Sequence, residues 1–193
     1  MTHPNQNCEF VVNLCGCDAG RGPHLRFHVP LSPAQELIGS PPVPFALDQL
    51  PVGDISGYTT LVFHPTLSQV DYKLFVLGIT AGSPVNQHIT MAHLHAGLAN
   101  ENGPVIVGLA NLAPLSGPGV TADGLLASGT LTNENIIEVT ASTGYQFNSI
   151  ASLYQGIIQG IVYANVHGSN FNPREQSYAS GIMRGQIFLP KFL

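Results

Sequence analysis

Charge is what this sequence has least of. Its 193 residues include 6 Lys or Arg and 11 Asp or Glu, 9% of the chain, where a soluble domain ordinarily carries about 25%. With so few cations and a formal net charge of −5, there is no basic stripe to follow a nucleic-acid backbone or an anionic membrane. Two readings of the shortage stay open: a surface built from Asn, Gln, Ser and Thr, or a surface covered by other subunits, as in a homo-oligomer or larger protein assembly. No apolar run reaches the roughly 18 residues of a membrane span. The opening Met1-Thr2-His3-Pro4-Asn5-Gln6-Asn7 lacks both the basic start and the apolar stretch of an export signal. Asn-x-Ser/Thr acceptors, a Gly-rich phosphate loop and a nucleophile elbow are missing, and the acidic residues are scattered. That removes the familiar routes to phosphoryl transfer, serine hydrolysis and two-carboxylate cleavage. Cysteine is confined to Cys8, Cys15 and Cys17. An odd number at one end cannot staple the rest, so ordinary packing must hold the fold. These thiols read as small inert groups, with an intersubunit disulfide or soft-metal binding at Cys15-Gly16-Cys17 as alternatives.

What is present points to strands. Apolar residues make up 44% of the chain, with 21 Gly and 15 Pro and no Trp, the profile of short strands joined by tight turns. Residues 1–22 read as an N-terminal extension with a strand-like run from Cys8 to Leu14, a candidate for subunit contacts at a neighbour's sheet edge, and residues 23–193 as one domain. His24 to Val29 alternates, with Leu25, Phe27 and Val29 on the inner face. Ser32-Pro33-Ala34-Gln35 has the form of a helix start, cut short by Gly39 and by Pro41, Pro42 and Pro44. Ile55 to His64 and Gln69 to Thr80 form a hairpin, and Gly124 to Leu131 another strand. The pattern predicts a single helix over Ile150 to Gln159, capped by Ser149, with Ile150, Leu153, Ile157 and Ile158 at helical spacing. Together these elements predict an all-β Greek-key sandwich with one short helix.

Candidate chemistry gathers on Ile89-Thr90-Met91-Ala92-His93-Leu94-His95-Ala96-Gly97. In an extended strand, side chains two apart share a face, so His93 and His95 stand side by side with Met91. Their Cα atoms are then about 6.5–7 Å apart, within reach of one ion. The turn signal Asn102-Gly103-Pro104 sends Val105 to Ala110 back as the next strand. A third histidine, His167, closes Ile161-Val162-Tyr163-Ala164-Asn165-Val166-His167-Gly168, where Tyr163 and Asn165 share its face. Neutral imidazoles suit Cu and Zn, but the same rings on a polar face can instead hydrogen-bond to neighbouring loops. Tyr163 and Asn165 are candidates to orient His167. Met91 or His88, and more remotely His64, are candidates for a further ligand. Arg184, beside Gly185 in the last strand Gly181 to Phe188, reads as an anchor that pairs with a carboxylate or carbonyls.

Several of these pieces, in order, resemble the CHRD domain, the module named from chordin. They are Phe27 to Pro42 with Leu31, Gln35, Pro41 and Pro42; His93-Leu94-His95-Ala96-Gly97 with Asn102-Gly103-Pro104-Val105; Tyr163-Ala164-Asn165-Val166-His167; and Met183-Arg184-Gly185-Gln186-Ile187. The segment from Gly168 to Ile182 is longer than that family usually has. The resemblance implies a β-sandwich and a non-enzymatic binding or structural module that self-assembles or joins a larger assembly, at an extracellular or particle-associated location. The face pattern is also similar to copper superoxide dismutases, whose copper is held by a strand His-x-His and two further histidines. That likeness implies the alternative, a copper-binding protein with dismutase-like redox activity and ligands at His93, His95 and His167. A fourth histidine and a His/Asp zinc subsite are not recognisable in the pattern.

Overall fold

A computed structural model describes residues 25–39, 41–46, 50–51, 53–169 and 178–188. The three cysteines and the expected extension at 1–22 lie outside these described residues. Leu25–Leu31 (β1) runs antiparallel to Ser56–Phe63 (β4), which pairs with Gln69–Ile79 (β5), which in turn pairs with Ala122–Thr132 (β8). Between β1 and β4, Leu37–Ile38 (β2) and Val43–Pro44 (β3) form a minimal hairpin. The second sheet has the order β12-β11-β6-β7, built from Met183–Gln186, Val162–Gly168, Ile89–Ala96 and Val105–Asn111. Another small hairpin, Val139–Thr140 (β9) with Gln146–Phe147 (β10), precedes the helix Ile150–Ile158 (α1). Among the neighbours that are not consecutive in the chain, β5 with β8 and β6 with β11 are the Greek-key crossovers, while β1 and β4 flank the small β2–β3 hairpin.

The alternation explains the sandwich. In β4 every second residue from Gly57 to Phe63 is buried, and β1 buries Phe27, Val29 and Leu31. Leu61, Phe63, Val70 and Leu74 of the first sheet meet Leu94, Ile106, Val162 and Val166 of the second in one continuous cluster. Each such side chain contributes about 1.5–3 kcal/mol by leaving water. The helix lies where its pattern put it. Ser149 Oγ accepts from Ser152 N at 3.2 Å, and Ile150, Leu153 and Ile157 are buried. The inward stripe is completed by Gly156 rather than Ile158, which is 36% exposed, because the helix bears on Phe147 and Val162 through the side-chain-free surface of Gly156.

Strand β11 departs from simple alternation: all seven of its residues are buried. One face meets the hydrophobic core, and the other is roofed by loops instead of solvent. The roof creates a second, polar interior that holds the histidines.

Candidate metal centre

Three strands supply the polar interior, and their register decides who meets whom. His93 sits opposite Asn165, His95 opposite Tyr163, and His167 opposite Met91. On β12, Arg184 and Gln186 face Asn165 and Tyr163 in turn. The imidazoles of His93, His95 and His167 therefore converge. One ligand nitrogen from each lies within 4.8 Å of the other two, and His93 Nδ1 is 3.1 Å from His167 Nε2. An ion bound at about 2.0–2.1 Å from each nitrogen needs separations of roughly 3.3 Å in tetrahedral geometry, close to the His93–His167 distance.

The loops fix which nitrogen each ring presents. His95 Nδ1 donates to Gly103 O at 2.9 Å, so its Nε2 carries a lone pair. That Nε2 is buried and has no hydrogen-bond partner. His167 Nδ1 donates to Ala179 O at 2.8 Å, leaving its Nε2 aimed at His93. A ring whose far nitrogen is tied to a carbonyl is the arrangement that sets the tautomer of a metal-ligating histidine. The electrostatics agree. Burial, with a smaller push from neighbouring His167, lowers His93 from 6.5 to about 4. Burial also lowers His95 to about 4, against the opposing hydrogen bond to Gly103, and it lowers His167. All three rings are neutral donors at neutral pH. The residues present thus fit a soft or borderline divalent ion: three imidazole nitrogens, fixed tautomers and one buried acceptor lacking a partner.

Tyr163 takes a different post from the one the strand pattern alone suggests. Tyr163 is stacked on His95, with ring centroids 5.0 Å apart and planes 11° from parallel, and its hydroxyl accepts from Gly103 N at 3.0 Å. It supports His95 rather than His167. Gly103 is gripped at both its amide and its carbonyl, and only glycine fits there, because a Cβ would overlap the Ala96 carbonyl. Asn165 Nδ2 donates to Ser180 O at 3.2 Å, steadying the segment whose Ala179 carbonyl holds His167. Met91 lies on the ligand face, half-buried, and lines a cavity with His93. His88 falls one residue before β6 and its Nε2 meets Ser83 O at 3.2 Å, while His64 Nδ1 bonds Thr66 Oγ1 at 2.8 Å. Neither joins the cluster.

Arg184 is the anchor its setting suggested, but its partners are neutral. Nη1 donates to Glu101 O at 2.9 Å and Asn102 Oδ1 at 3.2 Å. Nη2 donates to Leu98 O at 2.7 Å and Gln186 Oε1 at 3.1 Å. The guanidinium carbon also lies 3.4 Å from the centre of the Tyr163 ring, a cation–π contact in a desolvated setting. Arg184, Tyr163 and His95 thus form a stack that runs from the last strand to the histidine cluster.

One residue escaped the sequence reading. Glu36, in the Pro-rich stretch after β1, is fully buried. Its Oε1 accepts from Leu37 N at 3.0 Å, whereas Oε2 has no hydrogen-bond partner. Burial raises its carboxyl from 4.5 to about 7, with Leu37 N, Arg184 and the Asn165 side chain pulling the other way. Asn165 Oδ1 is likewise buried and without a donor. Both oxygens crowd the space beside Gly181, whose φ of +152° and missing side chain leave room for them. Two facing acceptors are satisfied at once if Glu36 keeps its proton and donates it to Asn165. Nothing in a single Glu among prolines signals this; it depends on the loop folding back over the second sheet.

Among the described residues, His93, His95 and His167 are the only group of three or more His, Cys, Asp or Glu side chains close enough to share an ion. No helix of the described residues is long and apolar enough to cross a membrane. A family model for the CHRD domain matches residues 27–187. No curated protein and no solved structure matches the chain.

Proposed function

The chain belongs to the CHRD family, and from that membership and the convergence of three imidazoles we propose that it is a non-enzymatic binding module holding one Cu or Zn ion at His93, His95 and His167. The observation that carries the reading is His95 Nε2, a buried lone pair with no partner in the protein. Leaving such an acceptor dry costs about 1–3 kcal/mol, a cost that coordination removes. A metal bound there supplies a Lewis-acidic centre with three protein ligands. Gly103 O and Ala179 O hold the rings in the right tautomers, Tyr163 keeps His95 upright, and the roof of loops keeps water from the two deeper nitrogens.

The test is metal analysis of chelator-treated, reconstituted protein, expected to give about one Zn or Cu per chain. The double variant His93→Gln/His95→Gln should bind none while keeping the parent's far-UV spectrum. Equal uptake by parent and variant would return the three rings to a purely hydrogen-bonding role. The alternative of dismutase-like turnover is disfavoured by the approach to the site, whose lining among the described residues carries no cation to draw a small anion.

Self-association is the second part of the proposal, and the outer face of the first sheet supports it. Pro30, Tyr58, Phe75 and Leu125 lie on one rung across all four strands. Tyr58 and Phe75 stack at 4.6 Å, and Leu125 is 55% exposed with Leu77 beside it at 39%. An apolar band this continuous, on a chain this poor in charge, suits a second copy of the same face.

A further inference from the structure

His93 differs from the other two ligands. His95 and His167 are each 7% exposed, while His93 is only half-buried and forms part of the wall of a cavity of about 390 Å³. The cause is in the register. The partner of His93 on β7 is Gly108, and a Cβ at Gly108 would meet nothing within 4 Å. On its other sides the site is closed: by Asn165 and Tyr163 across β11, by Gly103 O over His95 and by Ala179 O over His167. Toward β7 the polar interior opens because one strand position has no side chain.

The walls of the opening define what fits. They are Met91, Val105, Leu109, Ala110 and the exposed Ile137, with Asn111 as the single polar side chain besides His93. Ile137 is held over the strand by its own amide, which donates to Ile106 O at 2.7 Å. Among the described residues no charged one lines the cavity, so a carboxylate or ammonium entering it would find no partner of opposite charge. A neutral donor with an apolar body gives up little and buries hydrocarbon. Three protein ligands with a vacant fourth position is also the pattern of zinc sites that accept an external molecule.

We infer that an ion at His93, His95 and His167 keeps its fourth position open toward the Gly108 cavity and takes there a small neutral nitrogen donor carrying an apolar group, such as an aryl-substituted imidazole. This rests on the three-histidine reading. The experiment uses the full chain loaded with Co(II), whose visible d–d spectrum reports each change of ligand. Titration with 4-phenylimidazole should alter the spectrum and saturate at least about tenfold below the concentration that unsubstituted imidazole needs; acetate should have no effect. Gly108→Leu, which fills the cavity from an open position, should take up Co(II) as the parent does and lose the preference for the phenyl compound. Ile137→Gln, on an exposed rim, should weaken phenylimidazole and leave imidazole unchanged; it serves equally if the Leu variant folds poorly. Normal Co(II) uptake with a spectrum indifferent to phenylimidazole, or equal affinities for the two imidazoles, overturns the inference while the metal site stands. An indifferent spectrum is also what Met91 in the fourth position would give. Failure to take up Co(II) at all removes the metal reading and the inference together.

Discussion

Replacing Glu36 by Gln should make the protein more stable in mild alkali and change little in mild acid. In the fold the carboxyl retains its proton to about pH 7, compared with 4.5 for an ordinary glutamate, because burial penalises the charged form. The unfolded chain releases that proton near 4.5. Between these values the unfolded state binds fewer protons than the native one, so stability falls as pH rises. A difference of this size is worth about 3 kcal/mol at about 1.4 kcal/mol per tenfold in proton affinity. The stabilisation is complete below about pH 4.5 and gone above about pH 7. The amide that replaces the carboxyl cannot ionise; its NH2 can donate to Asn165 Oδ1 while its oxygen still accepts from Leu37 N. The assay is urea unfolding of metal-free parent and variant at several pH values from about 5 to 8.5. The histidines add a slope of opposite sign below 6.5, but they are common to both proteins and cancel in the difference. That difference should grow in favour of the variant by about 2–3 kcal/mol across the range. Parallel profiles would mean that Glu36 is ionised in the fold at its ordinary value, and the proton bridge to Asn165 would be wrong.

Metal uptake should persist well below the pH at which a free imidazole takes a proton. With His93 and His95 held down to about 4, protons compete for the ligand nitrogens only as the pH nears that value; half-loss of bound Zn near 6.5 in equilibrium dialysis would show the rings in water-like surroundings. Saturating Zn should raise the unfolding temperature, since an ion at 1,000 times its dissociation constant adds about 4 kcal/mol, and the His93→Gln/His95→Gln chain should show no such rise. Leu125→Lys, at a position 55% exposed, should leave the fold unchanged and shift sedimentation from dimer or higher species to monomer. A parent chain that sediments as a monomer at about 100 μM refutes the apolar-band interface.

The sandwich was legible because its strands obey alternation. The inner-face residues of β1, β4 and β5 are the ones a period of two picks out, and the helix cap at Ser149 was visible as a serine before an apolar period of 3.6. The histidine pair was legible for the same reason: His93 and His95 must share a face, and His167 ends a strand of matching pattern. What alternation could not show is that this polar face is interior. It becomes so only when the segments around Leu98 to Gly103 and Ala179 to Gly181 fold over it, and that depends on Arg184 reaching four acceptors and on Gly103 fitting against Ala96. Glu36 was missed for the same reason, since its burial depends on a loop folding back, while His88, one residue short of the strand, bonds to the local Ser83 carbonyl. The two-residue hairpins β2–β3 and β9–β10 are too short to leave a periodic trace.

The stack from Arg184 through Tyr163 to His95 also carries a temporal consequence. The guanidinium secures carbonyls at Leu98 and Glu101, 86 and 83 positions earlier in the chain, and His167 meets His93 across 74 positions. During synthesis, therefore, the His-x-His strand emerges long before the residues that position it, and pairings this distant are the slow ones in folding. Until the final strand is released and docked, the early pair can offer an ion only two loosely held rings. On the three-histidine proposal, a complete set of ligands would exist only at the end of folding, so an ion would be bound after the last strand has docked rather than before.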